Sequence, residues 1–562
     1  MKHPYYILGL AAALAVATPS FAQNDGDRND GKYNPTVSGS IQSDMLAPTG
    51  SQSDGSHEDF RTNTFVDLNV MSKYIDAGAR FEYREHQLPG YEDGFKGYGV
   101  PYVYLKAKLK NFEVTVGNFY EQFGSGFVLR TYEERSLGID NSLLGARIVT
   151  TPVKGVRLKA LTGQQRRYWA HNDSWLSGAD VELSLDSWFK GLAQSGTSLT
   201  LGGSFVNKNE RNDEDVPFNG NYRLVMPRNV NAWDARVTLN THGFNVLAEY
   251  AQKTADPSFK NNYIYRKGTA AMLSASYSKK GFSVLAQAKR SDNFFFNSYR
   301  AESDRQSAIN HLPAFTMDQT YALAALYSYG TRLDGEWAYQ GQLGYKFKRK
   351  TAIGGKYGMM VKVNFSHVRG IDQNPRSLTV NVPEPTVLTG KGTDGYGSAF
   401  WKWGKGGMYY QDLNVQIDRR FTRDFKLSLM YMNQFYNKTA VEGEGGMIHS
   451  NIFIADALFN LSPKTRLRTE LQYLTTGEDE HDWLFALAEL SLVPHWMFTV
   501  SDQYNVGLTD AHYWQTFVTY NTGAHRVQLG WGRTRAGFNC SGGVCRHVPE
   551  TKGFTLSYNY NF

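Results

Sequence analysis

The densest run of reactive side chains lies at 117–148, GNFYEQFGSGFVLRTYEERSLGIDNSLLGARI, where Glu121, Arg130, Glu133, Glu134, Arg135, Asp140 and Arg147 stand among five glycines. Carboxylates and guanidiniums at this density can do two things. Facing one another across water, they set up a field that sorts solutes by charge. In contact, they neutralise one another and brace whatever carries them. Gly117, Gly124, Gly126, Gly138 and Gly145 allow the sharp turns that either arrangement needs. A second cluster, Glu478, Asp479, Glu480, His481 and Asp482, has residue types that could activate water for hydrolysis. No carboxylate pair that would face it can be identified. A solvated acidic turn, open to a divalent cation or to the ions that bridge lipopolysaccharide, is the far commoner reading of such a cluster.

Other chemical motifs fail on context. Gly390-Lys391-Gly392-Thr393-Asp394-Gly395 matches GxGxxG literally, but a nucleotide site needs a strand before it and a helix at its last glycine. Here loop composition follows, Tyr396-Gly397-Ser398 and then Trp401-Lys402-Trp403-Gly404. HExxH and GxSxG are absent and the histidines have no ligand spacing, so no catalytic residue, cofactor or metal site is expected. The two cysteines, Cys540 and Cys545, sit in CSGGVC. In an exported chain the flexible spacer lets them pair, and two thiols alone make a poor metal site, so a loop disulfide is expected.

The elements that must position these groups read as strands. In Lys552–Phe562 (KGFTLSYNYNF), Phe554, Leu556, Tyr558, Tyr560 and Phe562 alternate with Thr555, Ser557, Asn559 and Asn561. A strand puts successive side chains on opposite faces, so one face is aromatic and the other small and polar. The pattern is that of the closing strand of an outer-membrane barrel. Similar alternation recurs from about Thr36 onward, with connections that are short, then long, then short. Tight turns fall at Ser72-Lys73-Tyr74, Leu109-Lys110-Asn111, Thr241-His242-Gly243 and Pro494-His495; long polar loops fall at 207–230, 253–266, 370–406 and 535–551. Short turns on one side and long loops on the other are the layout of a transmembrane barrel. Treating Asn293–Tyr299 (NFFFNSY) as a strand of its own gives an even count, about 26 within 22–26, with both termini on the periplasmic side.

Composition agrees. The 562 residues carry 33 Phe, 35 Tyr and 11 Trp, 14% aromatic, yet the mean hydropathy is −0.47. Apolar band, aromatic girdles and wet interior together explain that combination. A net charge of +7, with 60 basic against 53 acidic residues, is too small to indicate nucleic acid. Met1 to Ala22 reads as a signal peptide, with Lys2, the apolar run Ile7–Ala17 and Ser20-Phe21-Ala22 before the cut. Residues 23–35 read as a disordered periplasmic lead-in and 36–562 as the barrel. Trp337, Tyr339, Leu343, Tyr345 and Phe347 should face lipid, as should Phe425, Leu427, Leu429 and Tyr431, and Val527, Leu529 and Trp531. Arg466, Arg468 and Glu470, Asp234 and Arg236, and Asp412, Asn414, Gln416 and Asp418 should face water inside, because a charge at mid-bilayer costs ~2–4 kcal/mol.

The 117–148 segment, together with AKRSDN (288–293) and IGGKYG (353–358), resembles an uncharacterised outer-membrane β-barrel family of the Bacteroidetes, a domain of unknown function. The resemblance spans most of the mature chain; it implies a barrel and an outer-membrane location but no activity. Partners are then outer-membrane lipid and lipopolysaccharide, the barrel-assembly machinery acting on the C-terminal strand, and envelope proteins that the sequence does not specify. The leading expectation is a channel for a polar or charged solute, with 117–148 folded into the lumen because a wide empty barrel would leak. A structural or assembly and secretion platform is the alternative, and an outer-membrane hydrolase a remote one.

Overall fold

A computed structural model of the chain describes residues 35–50, 60–211, 218–219, 222–303, 306–376 and 388–562. Residues 1–34, on which the expected signal peptide and most of the expected lead-in fall, lie outside them.

Twenty-four antiparallel strands form one closed wall. They are β1 (Thr36–Pro48), β2 (Arg61–Met71), β3 (Ile75–Arg84), β4 (Gly97–Leu109), β5 (Phe112–Phe119), β6 (Leu143–Thr150), β7 (Val156–Arg167), β8 (Trp175–Ser184), β9 (Thr197–Asn209), β10 (Asn229–Thr241), β11 (Phe244–Lys253) and β12 (Gly268–Lys279), and then β13 (Phe282–Asp292), β14 (Gly335–Phe347), β15 (Met359–Ile371), β16 (Trp403–Arg420), β17 (Phe425–Asn437), β18 (Met447–Ser462), β19 (Thr465–Thr475), β20 (Asp482–Leu492), β21 (Trp496–Val506), β22 (His512–Thr522), β23 (His525–Thr534) and β24 (Thr551–Asn561). Each pairs with the next in sequence, and β24 pairs with β1 from Ser40↔Asn561 to Pro48↔Gly553, which closes the ring. An additional two-residue strand, Ala170–His171, folds back on β7. Among the described residues helix is confined to short turns such as α1 (Lys190–Gln194).

The count lies within the expected 22–26 and two below the favoured value of about 26. Asn293–Tyr299 is not a wall strand. It lies in the 42-residue connection 293–334 between β13 and β14, and β13 pairs directly with β14 from Phe282↔Tyr345 to Asp292↔Gly335. Its partners are interior: Phe294 N donates to Leu333 O at 2.7 Å and Ile309 N to Phe296 O at 3.0 Å.

Alternation sorts the two faces of the wall. Leu105, Phe205, Val237, Leu343, Phe365, Leu429, Phe453, Leu471, Val500, Leu529 and Phe554 are exposed on the outward face. Tyr345, Tyr431 and Trp531 belong to the same exposed set, while Tyr339, Phe347, Phe425, Leu427 and Val527 are half-buried among their neighbours. Trp337 departs from the expected lipid contact: the rings of Phe400 and Trp401, 5.8 and 6.4 Å away, fold down from a long loop and bury it. An outward ionisable pair, His512 Nδ1 to Asp502 Oδ2 at 2.6 Å, lies near the long-loop rim.

The inward face is polar toward the short-turn rim, where Arg466 and Lys362 are exposed and Gln416 and Asp418 half-exposed. In the long-loop half it is not uniformly polar. Met430, Met432, Ile452, Ile454 and Leu474 are buried on the inner face of β17–β19, beside the buried Asp412, Asn414, Gln434 and Ser450. An apolar patch inside a water-filled tube would be costly, so something must cover it.

Candidate functional site: the interior seal

Two connections leave the wall and meet inside it. Residues 120–142 join β5 to β6, and residues 293–334 join β13 to β14. The second crosses the full bore. At one end the Ala308 carbonyl accepts from Gln165 Nε2 on β7 at 2.8 Å; at the other Leu323 N donates to Gln472 Oε1 on β19 at 2.9 Å. In a ring of 24, strands twelve places apart stand diametrically opposite.

The two connections also pair with each other. Arg130 N donates to Ile309 O (2.8 Å), His311 N to Gly126 O (2.9 Å), Asn141 Nδ2 to Ala308 O (2.8 Å) and Gln306 Nε2 to Gly138 O (2.8 Å). Phe123, Phe127, Val128 and Leu129 from the first pack with Phe294, Phe296, Ile309 and Leu312 from the second, in one apolar cluster with the wall. On the far side Leu323, Ala324, Leu326 and Tyr327 cover Met430, Met432, Ile452, Ile454 and Leu474. Gln434 Nε2 donates to the Tyr327 carbonyl at 3.0 Å, and Tyr327 donates its hydroxyl to Asp479 at 3.0 Å.

Charge fixes the first connection to β2, β3 and β7. Arg80 reaches Asp67 (2.7 Å), Asp140 (3.0 Å) and Glu133 (2.8 Å). Arg166 takes Glu82 on both carboxylate oxygens at 2.9 Å and Asp140 at 2.6 Å. Arg135 bridges Asp67 at 2.8 Å and Glu133 at 2.5 Å, and Arg84 completes the set on Glu82 at 3.2 Å. Four guanidiniums therefore meet four carboxylates, and the network carries no net charge. Burial works against the Asp140 carboxylate, yet the Arg166 and Arg80 guanidiniums hold it below the ordinary carboxylate range. This is a brace, since charges in contact leave little field for a passing solute.

The remaining sequence-selected residues divide among separate places. Glu121 accepts from Arg147 and, at 2.9 Å, from Lys159. Arg130 lays its guanidinium over the Tyr132 ring at 4.6 Å, and Glu134 accepts from Ser136. Asp234 and Arg236 form their own cluster with Asp180 on β8–β10. Arg468 and Glu470 pair with each other and Arg468 with Asp456, across the bore from the 120–142 connection, while Arg466 points into solvent near the short-turn rim. Cys540 and Cys545 are joined by a disulfide across the hairpin Gly537–Ser541/Val544–Val548, whose Gly543 carbonyl accepts from Thr331 N at 2.8 Å. The acidic turn 478–482 is engaged in hydrogen bonds, Glu478 to Thr476 and Asp482 to Tyr473 and the Thr476 amide. Tyr396-Gly397, after the GxGxxG stretch, pairs with Asn374–Pro375 as strand, and no helix starts there. Sequence reading missed the wall partners Asp67, Arg80, Glu82 and Arg166, which look like ordinary polar positions of strands. It also missed the role of 293–334, for which the signal was a 42-residue gap without sustained alternation.

A family model of unknown function, DUF6029, matches residues 2–562, the whole wall and both interior connections. The chain belongs to this family. No curated protein matches the sequence. Among solved structures, the P pilus usher PapC translocation pore is similar at 9% identity and a TM-score of 0.45, covering 94% of this chain and 99% of that one. The siderophore receptor PirA of Pseudomonas aeruginosa is similar at 11% identity and 0.41, over 96% and 81% of the two chains. A BenF-like porin from Pseudomonas fluorescens Pf-5 is similar at 10% identity and 0.34, over 94% and 98%.

In this DUF6029 barrel the seal separates two open spaces. On its short-turn side a recess of about 360 Å³ is lined by Asp67, Arg80, Tyr102, Lys106, Tyr120 and Arg147. On its long-loop side a vestibule of about 1100 Å³ opens between the loops, floored by Asn297, Asn310 and His311 and walled in part by the disulfide hairpin.

Proposed function

We propose that the protein spans the bacterial outer membrane and acts as a gated conduit for a polar solute, closed at rest by the two interior connections. The outward apolar face supports the membrane assignment, because that much exposed aliphatic and aromatic surface is stable only against acyl chains. One observation carries the gate: two open spaces, the recess and the vestibule, are divided by connections rather than by wall. Connections can move while the strand ladder stays closed. Both are tethered at each end to wall strands.

A static platform for envelope proteins is the second reading. It is favoured by the apolar contact of Leu323, Leu326 and Tyr327 on Met432, Ile452 and Leu474, which water does not readily loosen. Planar-bilayer recording of the wild-type protein separates the two. The gated reading expects a mostly closed baseline with discrete openings under applied voltage. A folded protein silent at every voltage would remove it and leave the platform.

A further inference from the structure

We propose that the vestibule binds a neutral, hydroxyl-rich ligand, an oligosaccharide in chemical class, on Asn297, Asn310 and His311. All three belong to the connection that seals the bore, and all three are nearly buried, with 6, 6 and 8% of their surface exposed. Their polar side-chain atoms are nonetheless short of partners. Asn310 donates to the Phe294 carbonyl at 2.9 Å, but its Oδ1 has no donor among the described residues. The Asn297 amide and the His311 imidazole make no side-chain hydrogen bond among the described residues, while their backbones are held in the interior pairing. The Asn310 oxygen is a buried acceptor left unpaired among the described residues, which is rare unless water or a ligand completes it, and Asn297 and His311 line the same cavity.

The chemistry of the floor selects the ligand. An amide offers both donor and acceptor, which suits a hydroxyl better than an ion. Burial, with Arg130 and Lys289 nearby, pushes the His311 imidazole down to about 3, so at neutral pH it too can donate and accept. Charges around the cavity are already engaged: Arg332 holds Asp334 at 2.7 Å, Lys260 donates to the Ser303 carbonyl, and Glu442 accepts from Tyr436 at 2.7 Å. Exposed Glu444 stands at the rim. No cluster of one sign remains for an anionic or cationic solute. Tyr132, Phe295 and Phe538 add ring faces to the lining, and sugar C–H groups pack on such faces. The volume of about 1100 Å³ accommodates several sugar rings.

The gated-conduit reading is needed only for the further step, that this ligand is the solute passed. Calorimetric titration of the full-length protein in detergent, with maltohexaose, cellohexaose and chitohexaose as neutral probes and oligogalacturonate as the anionic one, tests the site itself. Saturable binding of at least one neutral probe is expected. Asn297→Ala and His311→Ala should each weaken it about tenfold, the effect of losing one or two hydrogen bonds, with unchanged heat-modifiable migration as the check on folding. Failure of every neutral probe, tighter binding of oligogalacturonate, or full affinity in both variants would overturn the assignment. Binding without any bilayer current would leave this site standing while removing the gate, and current without binding would do the reverse.

Discussion

Arg166 holds Glu82 and Asp140 at once, and all three are buried. Removing it leaves Asp140 to Arg80 and Glu82 to Arg84, so the buried network is one cation short, and loss of one partner of a buried pair costs about 3–5 kcal/mol. Arg166→Met is therefore expected to lower the temperature at which the barrel loses its heat-modifiable migration and to raise the fraction of time the bore is open. Arg166→Lys should fall between the two, because an ammonium cannot reproduce the two-pronged contact with Glu82. A variant that keeps wild-type melting and closure would show that the network contributes nothing to the seal. The sequence makes the charges of 117–148 conspicuous, but their partners look ordinary. Asp67, Arg80 and Arg166 occupy inward positions of regular strands, and alternation says only that such positions face inward. Which of them meet across the bore depends on the curvature of the whole wall.

At the scale of elements, three glycines stand side by side in the wall. Gly117, Gly145 and Gly163 are register partners across β5, β6 and β7. A Cβ on Gly145 would lie 2.0 Å from the Thr162 carbonyl oxygen, and one on Gly117, whose φ is +96°, 2.3 Å from that of Val103. Both obstacles are backbone, which cannot yield without breaking the ladder. Gly145→Ala should abolish the folded, heat-modifiable band, whereas Gly191→Ala, in the open space of α1, should leave it unchanged. Equal yields of folded protein would refute the close approach. Strands were legible from the sequence because lipid and water impose opposite demands on alternate residues. The interior connection 293–334 was not. NFFFNSY alternates too, with Phe294 and Phe296 buried and Phe295 toward the vestibule, so it reads as one more wall strand. Periodicity reports that two faces differ and is blind to whether the apolar one meets acyl chains or Phe127.

For the molecule as a whole, the order of short and long connections was readable and the occupancy of the bore was not. A closed ring of 24 strands has room inside, and filling it takes contacts between residues far apart in sequence, such as Asn141 with Ala308 and Leu323 with Gln472. No local pattern encodes these. The central claim is that the 293–334 connection keeps the bore shut, and the wall offers a clean way to remove it. Asp292 and Gly335 are neighbours in the ladder, and Asn293 N donates to Asp334 O at 3.0 Å, so a tight turn can replace 294–333 without disturbing β13 or β14. Steady current through that shortened barrel in a planar bilayer is the direct measurement. A large, voltage-independent conductance, absent from the wild type under the same conditions, is the predicted result. A shortened barrel that folds, by its heat-modifiable migration, yet passes no more current than the wild type would contradict it.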